Sequence, residues 1–408
     1  MRAPPPGNAN SGLRVLHYCH DSYGLGHLRR TLALAHRLRE RMPEATQLIV
    51  SGAAHTDGWS LPAGADWIKL PSVVKVGADE YRPRSLACSF DATLELRKDV
   101  LLAAARRFRP DIFVVDHVPA GLGGEALPAL RHAAGAGARL VLGLRDVLDD
   151  ATLVHRAWRK GGVHALLDGL YDRIVVYGDP TVYDVVSEYG FSPVAAAKTR
   201  YVGYLRAPQP APAARVRDEL GIGGERLVVV TAGGGEDGHA LVAAALASLA
   251  AAPPERAHAL VVAGPLMSGE ERADLELRAA RCDDRVRLVA AMPRLADVIA
   301  AADAVVSMGG YNTVREILTY RRPALIVPRV RPRLEQLIRA EALARRGLVR
   351  TLHPAHLTPE RLTHELRRLV ATPLAPWADL ALNGLEGFVR AVQELVPTVN
   401  SQAAVAHA

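Results

Sequence analysis

His27 closes the loop Tyr23-Gly-Leu-Gly-His and opens an amphipathic run, while Asp116 ends an apolar run that begins at Asp111. A histidine at a helix start faces the positive end of the helix dipole. That field disfavours the imidazolium and keeps the ring neutral, as a general base must be. A carboxylate at a strand end is suited to orient such a ring, in the manner of a His–Asp dyad. The plain alternatives are a helix-capping histidine and a loop-capping aspartate. His117, Arg145 and Asp146 also end strands on the same presumed side, with structural or peripheral roles expected.

A second constellation lies at 304–346. Ala304–Val306 reads as a short buried strand, Gly309 and Gly310 as a turn, and Tyr311–Leu318 as a helix. A strand–glycine–helix junction aims bare N–H groups and a positive helix end at an anion. Asn312 and Thr313 in the first turn suit a phosphate or an ordinary cap. Glu316, about one and a half turns in, is within reach of a sugar hydroxyl. The apolar run Pro323–Pro328 returns to the sheet, and Glu335 and Gln336 open the next helix. Gly233, Gly234 and Gly235, followed by Asp237 and Gly238, form another glycine cluster at a helix start. Diphosphate binding is its functional reading and a tight turn the plain one. His239 reads as a cap.

The elements around these residues alternate. Strands are expected at Val15–Cys19, Gln47–Ser51, Asp66–Leu70, Asp111–Asp116, Arg139–Leu144 and Arg173–Tyr177. Helices are expected at His27–Arg41, Asp91–Phe108, Glu125–Ala134, Leu153–Leu170 and Pro180–Tyr189. Such alternation predicts an α/β fold with mostly parallel sheets covered on both faces. Three prolines at 208–212 mark a linker, after which the pattern restarts with a strand at Leu227–Thr231 and a helix at His239–Ala251. Each half opens with a strand, a glycine loop ending Gly-His, and a helix. Two Rossmann-like, doubly wound domains facing one another across a cleft are therefore expected, at 13–203 and 213–372, joined by 204–212. Residues 1–12 and the tail 398–408 are expected to be disordered. The last helix, Trp377–Val396 within 373–397, is of a kind that commonly crosses back to the first domain.

Other chemistries lack their signatures. Gly24-Leu-Gly26 is followed by His27, Leu28 and Arg29 rather than by a third glycine three residues on, and no acidic residue ends the second strand, so a dinucleotide cofactor is not expected. There is no phosphate-loop Gly-Lys-Ser/Thr motif and no Asp-x-Asp pair, so helix ends rather than a metal must neutralise a diphosphate. The net charge of +7 comes from arginines dispersed along helices without stacking aromatics, so nucleic acid is not an expected partner. Attraction to anionic substrates, or peripheral contact with an anionic membrane surface, is the weaker charge-based expectation. Cys19, Cys88 and Cys282 fit no metal spacing and no disulfide framework. No apolar stretch follows Met1 and none is long enough for a bilayer, which predicts a cytoplasmic protein.

The blocks Tyr23–Ala35 and Gly309–Gln336 resemble MurG-like glycosyltransferases of the GT-B fold, which move N-acetylglucosamine from UDP onto a lipid-linked acceptor. The resemblance covers most of 13–371. It implies a UDP-sugar donor, a small-molecule or lipid-linked acceptor, and no cofactor or metal. Glu316 would hold the ribose hydroxyls and Gln336 the sugar. Gly234 and Gly235, with Gly309, Gly310, Asn312 and Thr313, would take the diphosphate, and backbone near Met292 would meet the base. The loop with Gly24 and Gly26 would face the acceptor side. Two residues depart from the family pattern: Arg339 stands where Gln-x-x-Asn-Ala has Asn, and Leu334 replaces a polar residue. The block at 24–35 equally resembles a GT-B UDP-sugar hydrolase that hands the sugar to water. A non-catalytic nucleotide-sugar-binding protein is a third expectation.

Overall fold

The computed structural model describes residues 12–20, 26–54, 59–76, 80–251, 257–371 and 379–396. The expected disordered ends (all but Gly12 of 1–12, and 398–408), the start of the last helix at Trp377, and Gly24 lie outside those residues.

The first half of the chain supplies strands β1 (Arg14–Cys19), β2 (Thr46–Ser51), β3 (Ala65–Lys69), β4 (Val73–Lys75), β5 (Tyr81–Pro83), β6 (Ile112–Asp116), β7 (Arg139–Arg145), β8 (Arg173–Tyr177) and β9 (Thr199–Tyr201). Seven of these form one parallel sheet in the order β3-β2-β1-β6-β7-β8-β9, and β4 and β5 pair as an antiparallel hairpin. The second half supplies β10 (Arg226–Thr231), β11 (Ala257–Val262), β12 (Val286–Val289), β13 (Ala304–Ser307), β14 (Ala324–Ile326) and β15 (Arg350–Thr351), in the parallel order β12-β11-β10-β13-β14-β15. Strands such as Ile112-Phe-Val-Val and Leu227-Val-Val-Val are buried on both faces, as helices on each side of a parallel sheet require. In both sheets the order reverses beside the first strand, between β1 and β6 and between β10 and β13. Ligands of open α/β sheets bind at such switch points, outside the carboxyl ends of the strands.

The helices are α1 (Gly26–Arg41), α2 (Phe90–Phe108), α3 (Leu127–Gly135), α4 (Ala151–Lys160), α5 (Val163–Gly169), α6 (Val185–Glu188), α7 (Pro193–Lys198), α8 (Ala213–Glu219), α9 (His239–Ala251), α10 (Gly269–Ala279), α11 (Leu295–Ala301), α12 (Tyr311–Tyr320), α13 (Glu335–Arg345), α14 (Pro359–Val370) and α15 (Gly384–Gln393). The single helix expected at Leu153–Leu170 is two, broken at Gly161-Gly162, where Gly162 has φ 61°. The helix expected at Pro180–Tyr189 shrinks to one turn, because Asp179 accepts hydrogen bonds from both the backbone N–H and the hydroxyl of Thr181.

The second half returns to the first at its end. Glu386 on α15 pairs with Arg37 and Arg41 on α1, and Tyr204 and Ala381 share a backbone hydrogen bond. The proline segment is tied to the second sheet's helices: Thr319 Oγ1 accepts from Ala207 N, and Tyr320 donates to Pro208 O.

Candidate active site

The site is built on the ends of β1 and β6 and on the first turn of α1. His27 Nδ1 lies 2.5 Å from Asp116 Oδ2. Arg30, one helical turn on, reaches the same carboxylate with Nε at 2.7 Å and Nη2 at 2.6 Å. Burial raises the Asp116 carboxyl pKa, but Arg30, then His27, outweigh it and hold the group well below the usual carboxylate range. An ionised Asp116 is acceptor-only, so the Nδ1 of His27 donates to it, and the ring's other nitrogen, Nε2, is the one that can take up a proton when the ring is neutral. That is the tautomer a general base needs.

Two further histidines flank this ring. His20 follows β1 and its ring centroid lies 4.7 Å from that of His27; His117 follows Asp116 and lies 5.2 Å away on another side. Both are kept neutral, His20 by burial and then by His27, His117 by burial and then by Arg145. Arg97 donates to both Glu125 oxygens and to the carbonyls of Pro71 and His20, which fixes the backbone from which His20 projects.

The glycine loops after β10 and β13 belong to the second domain. A cleft of about 180 Å³ is lined by 232–237, Leu266, Ser307, Met308, Gly310, Thr313, Arg329 and Gln336. Gly235 has φ 98°, and a Cβ there would fall 2.7 Å from the carbonyl of Ala263, so only glycine fits. Gly309 has φ 86° and a Cβ would strike Ile326, which seats the turn before α12 close to the sheet. Gly310 caps α12, whose first N–H groups open toward the cleft beside Thr313. Gln336 also lines the cleft, its Oε1 accepting from Arg329 N at 3.0 Å.

Of the residues singled out in the sequence, the structure joins His27 to Asp116 and puts Gly234, Gly235, Gly310, Thr313 and Gln336 around one cleft. Asn312 lies outside that wall and meets the first domain instead: a Cβ on Gly26 would sit 3.2 Å from its Nδ2. Met292 lies before α11, half-buried against the domain core, and does not line the cleft. Glu316 is 2% exposed and its carboxylate is bonded to Arg29 of the first domain. His239 is held by Asp274 at 2.7 Å on the surface. Arg29, Arg30 and His20 are site residues the sequence reading missed. Arg30 stands three residues after His27, on the same helix face, and that spacing was the available signal. Among the described residues no group of three His, Cys, Asp or Glu side chains is placed to hold a metal ion, and no helix is long and apolar enough to cross a membrane.

Comparison with known proteins agrees with this geometry. Residues 227–395 match the glycosyltransferase family 28 C-terminal domain. A UDP-N-acetylglucosamine–N-acetylmuramyl-(pentapeptide) pyrophosphoryl-undecaprenol N-acetylglucosamine transferase from Shouchella clausii is 38% identical over 71 residues, 17% of this chain and 20% of that protein. The chain thus aligns with about a fifth of the length of such relatives at that identity. The transferase of the same name from Paenarthrobacter aurescens is 25% identical over 348 residues, 84% of each chain. The crystal structure of MurG from Acinetobacter baumannii superposes with a TM-score of 0.56 at 14% identity, over 94% of this chain and 99% of that one. The segment behind the glycine-lined cleft thus belongs to the family 28 C-terminal domain, and over nearly its whole length the chain has the GT-B fold and is similar to MurG-like glycosyltransferases.

Proposed function

We propose that the protein is an inverting, metal-independent transferase that moves an N-acetylhexosamine from a UDP-sugar to an acceptor hydroxyl. The observation that carries this reading is the His27–Asp116 contact at 2.5 Å, with Asp116 clamped by Arg30, whose guanidinium lies 5.8 Å from the ring of Tyr311 at the start of α12. His27 Nε2 takes the proton of the acceptor hydroxyl as that oxygen attacks the anomeric carbon from the face opposite the diphosphate. The bond to the diphosphate breaks, and UDP leaves with its negative charge facing the N–H groups of the 233–235 loop and of the α12 start. Asp116 stabilises the imidazolium formed on His27 and stays ionised throughout. Glu316 is the ribose ligand in this reading and Gln336 the sugar ligand, while the lipid-linked class of acceptor is taken from the name of the relatives.

The test is turnover of UDP-N-acetylglucosamine with candidate acceptors by wild type and His27→Ala. The variant is expected to lose about two to four decades in rate with UDP affinity unchanged. Near-normal turnover would remove His27 as the base. Rapid stoichiometric release of free sugar without any acceptor would assign the site to hydrolysis, and UDP binding with no turnover to a binding protein.

A further inference from the structure

At and beside the strand ends around His27, the three guanidiniums of Arg30, Arg145 and Arg339 gather with the two carboxylates of Asp116 and Asp146. Arg30 is bonded to both oxygens of Asp116, and Arg339 to both oxygens of Asp146. Arg145, the last residue of β7, has no ion pair with any described carboxylate. Among the described residues its one hydrogen-bond contact is Nη2 with His117 Nε2 at 3.2 Å, and its Nε is buried without a partner. Burial, then the charges of Arg339 and Arg30, push its pKa down to about 10, and Glu335 and Asp146 offset only part of this. Glu335 is itself bonded to Arg329. A guanidinium placed among other guanidiniums is costly unless something anionic joins it.

The histidines beside it are arranged in the same sense. Nδ1 of His117 and Nδ1 of His20 are buried without partners. Both rings are neutral, so they add hydrogen-bonding atoms and no charge. His117 has φ 70°, a left-handed backbone that a histidine adopts at a cost and that turns its ring toward His27. Arg145 and His117 are absent from the wall of the glycine-lined cleft and lie on the side of His27, the base in the transferase reading.

We infer that Arg145, with His117, binds a carboxylate or phosphate of the acceptor, carried on the same sugar ring as the attacking hydroxyl or on that ring's direct substituent. The spacing sets this limit. His117 is 5.2 Å from the base, ring to ring, and Arg145 is one hydrogen bond further, about the width of one hexose. A guanidinium fork matches either oxyanion in two N–H···O contacts, and a neutral hydroxyl offers it no charge. The assignment rests on the transferase reading, because it takes His27 as the base.

The experiment titrates UDP-saturated protein by calorimetry with methyl glucuronide, glucose 6-phosphate and methyl glucoside. At least one of the two anions is expected to bind and the neutral glycoside not to; the anion that binds identifies the group. Arg145→Gln is expected to weaken that anion about tenfold or more, Arg145→Lys to weaken it less because it keeps the charge but loses the fork, and both to bind UDP as wild type does, which also shows that they fold. Equal binding of the neutral glycoside, wild-type anion affinity in Arg145→Gln, or no anion binding by wild type would each overturn the assignment. Should UDP itself fail to bind, the donor reading fails instead. The same three sugars titrated onto the free protein then decide the anion site by the same outcomes.

Discussion

Arg339 and Asp146 come from different domains, are each 1% exposed, and meet through three N–H···O contacts of 2.8 to 3.0 Å. Arg339 also donates to the carbonyls of Gly309 and Val147, so one guanidinium touches the turn before α12 and the loop after β7. Burial opposes the Arg339 charge, but Asp146 raises its pKa above the ordinary arginine range. This is the position where the family pattern carries Asn. An arginine here joins the two halves through a buried ion pair that an asparagine is too short and uncharged to make.

Breaking that pair from one side is expected to be costly. Arg339→Asn leaves Asp146 buried and unpaired, with a loss of about 3 to 5 kcal/mol in unfolding free energy by denaturant titration. Arg339→Asn with Asp146→Asn is expected to recover part of it, since no orphan charge remains. A single variant as stable as wild type would show that the pair opens freely in solution.

Asp116→Asn tests the orientation of the base. The amide cannot serve as the ionised acceptor that fixes the proton on Nδ1 of His27, and Arg30 loses its counter-charge. Turnover is expected to fall about two to four decades, with little change in UDP affinity. A fall confined to KM would mean that Asp116 shapes the acceptor pocket and does not act through His27.

The ribose assignment has a competitor inside the protein. Glu316 is bonded to Arg29, so a ribose can reach that carboxylate only by displacing the guanidinium. Arg29→Ala is therefore expected to lower the melting temperature of the free protein and to tighten UDP by up to about tenfold by calorimetry, while Glu316→Ala weakens it. Weaker UDP binding in Arg29→Ala would mean that the guanidinium moves onto the diphosphate instead.

Much of this arrangement was legible in the chain because it is local. Strand, glycine turn and helix follow one another in sequence, so the 26–41 helix and the 304–320 unit read directly, and the strand-end rule put His27 and Asp116 on one side. The pairs that cross between domains were not legible. Arg29–Glu316 and Arg339–Asp146 join residues 287 and 193 positions apart, and arginines on helices look like solvated faces until the other domain covers them. Helix ends were misread where side chains compete with the backbone, as Asp179 does, or where adjacent glycines break a run of good helix formers, as Gly161-Gly162 does.

Buried neutral histidines set the acid limit of the fold. His17, 1% exposed on β1, is pushed down to about 4 by burial, against the opposing contact of its Nε2 with Gln47 Oε1 at 2.9 Å. Between about pH 6.5 and 4 the unfolded chain binds a proton at this position that the folded chain does not. Stability contributed by the neutral ring is thus complete above pH 6.5 and is lost as the pH falls toward 4, by roughly 3 kcal/mol for this group. His20 and His117 act in the same direction, whereas Asp116, held low, gives way only below the ordinary carboxylate range. Gln in place of His17 keeps a donor for Gln47 and does not titrate. Unfolding free energy measured by urea at pH 7 and pH 4.5 is expected to drop less in His17→Gln than in wild type, by about 2 kcal/mol. Equal drops in the two proteins would mean that water reaches the ring and that His17 is protonated in the folded state.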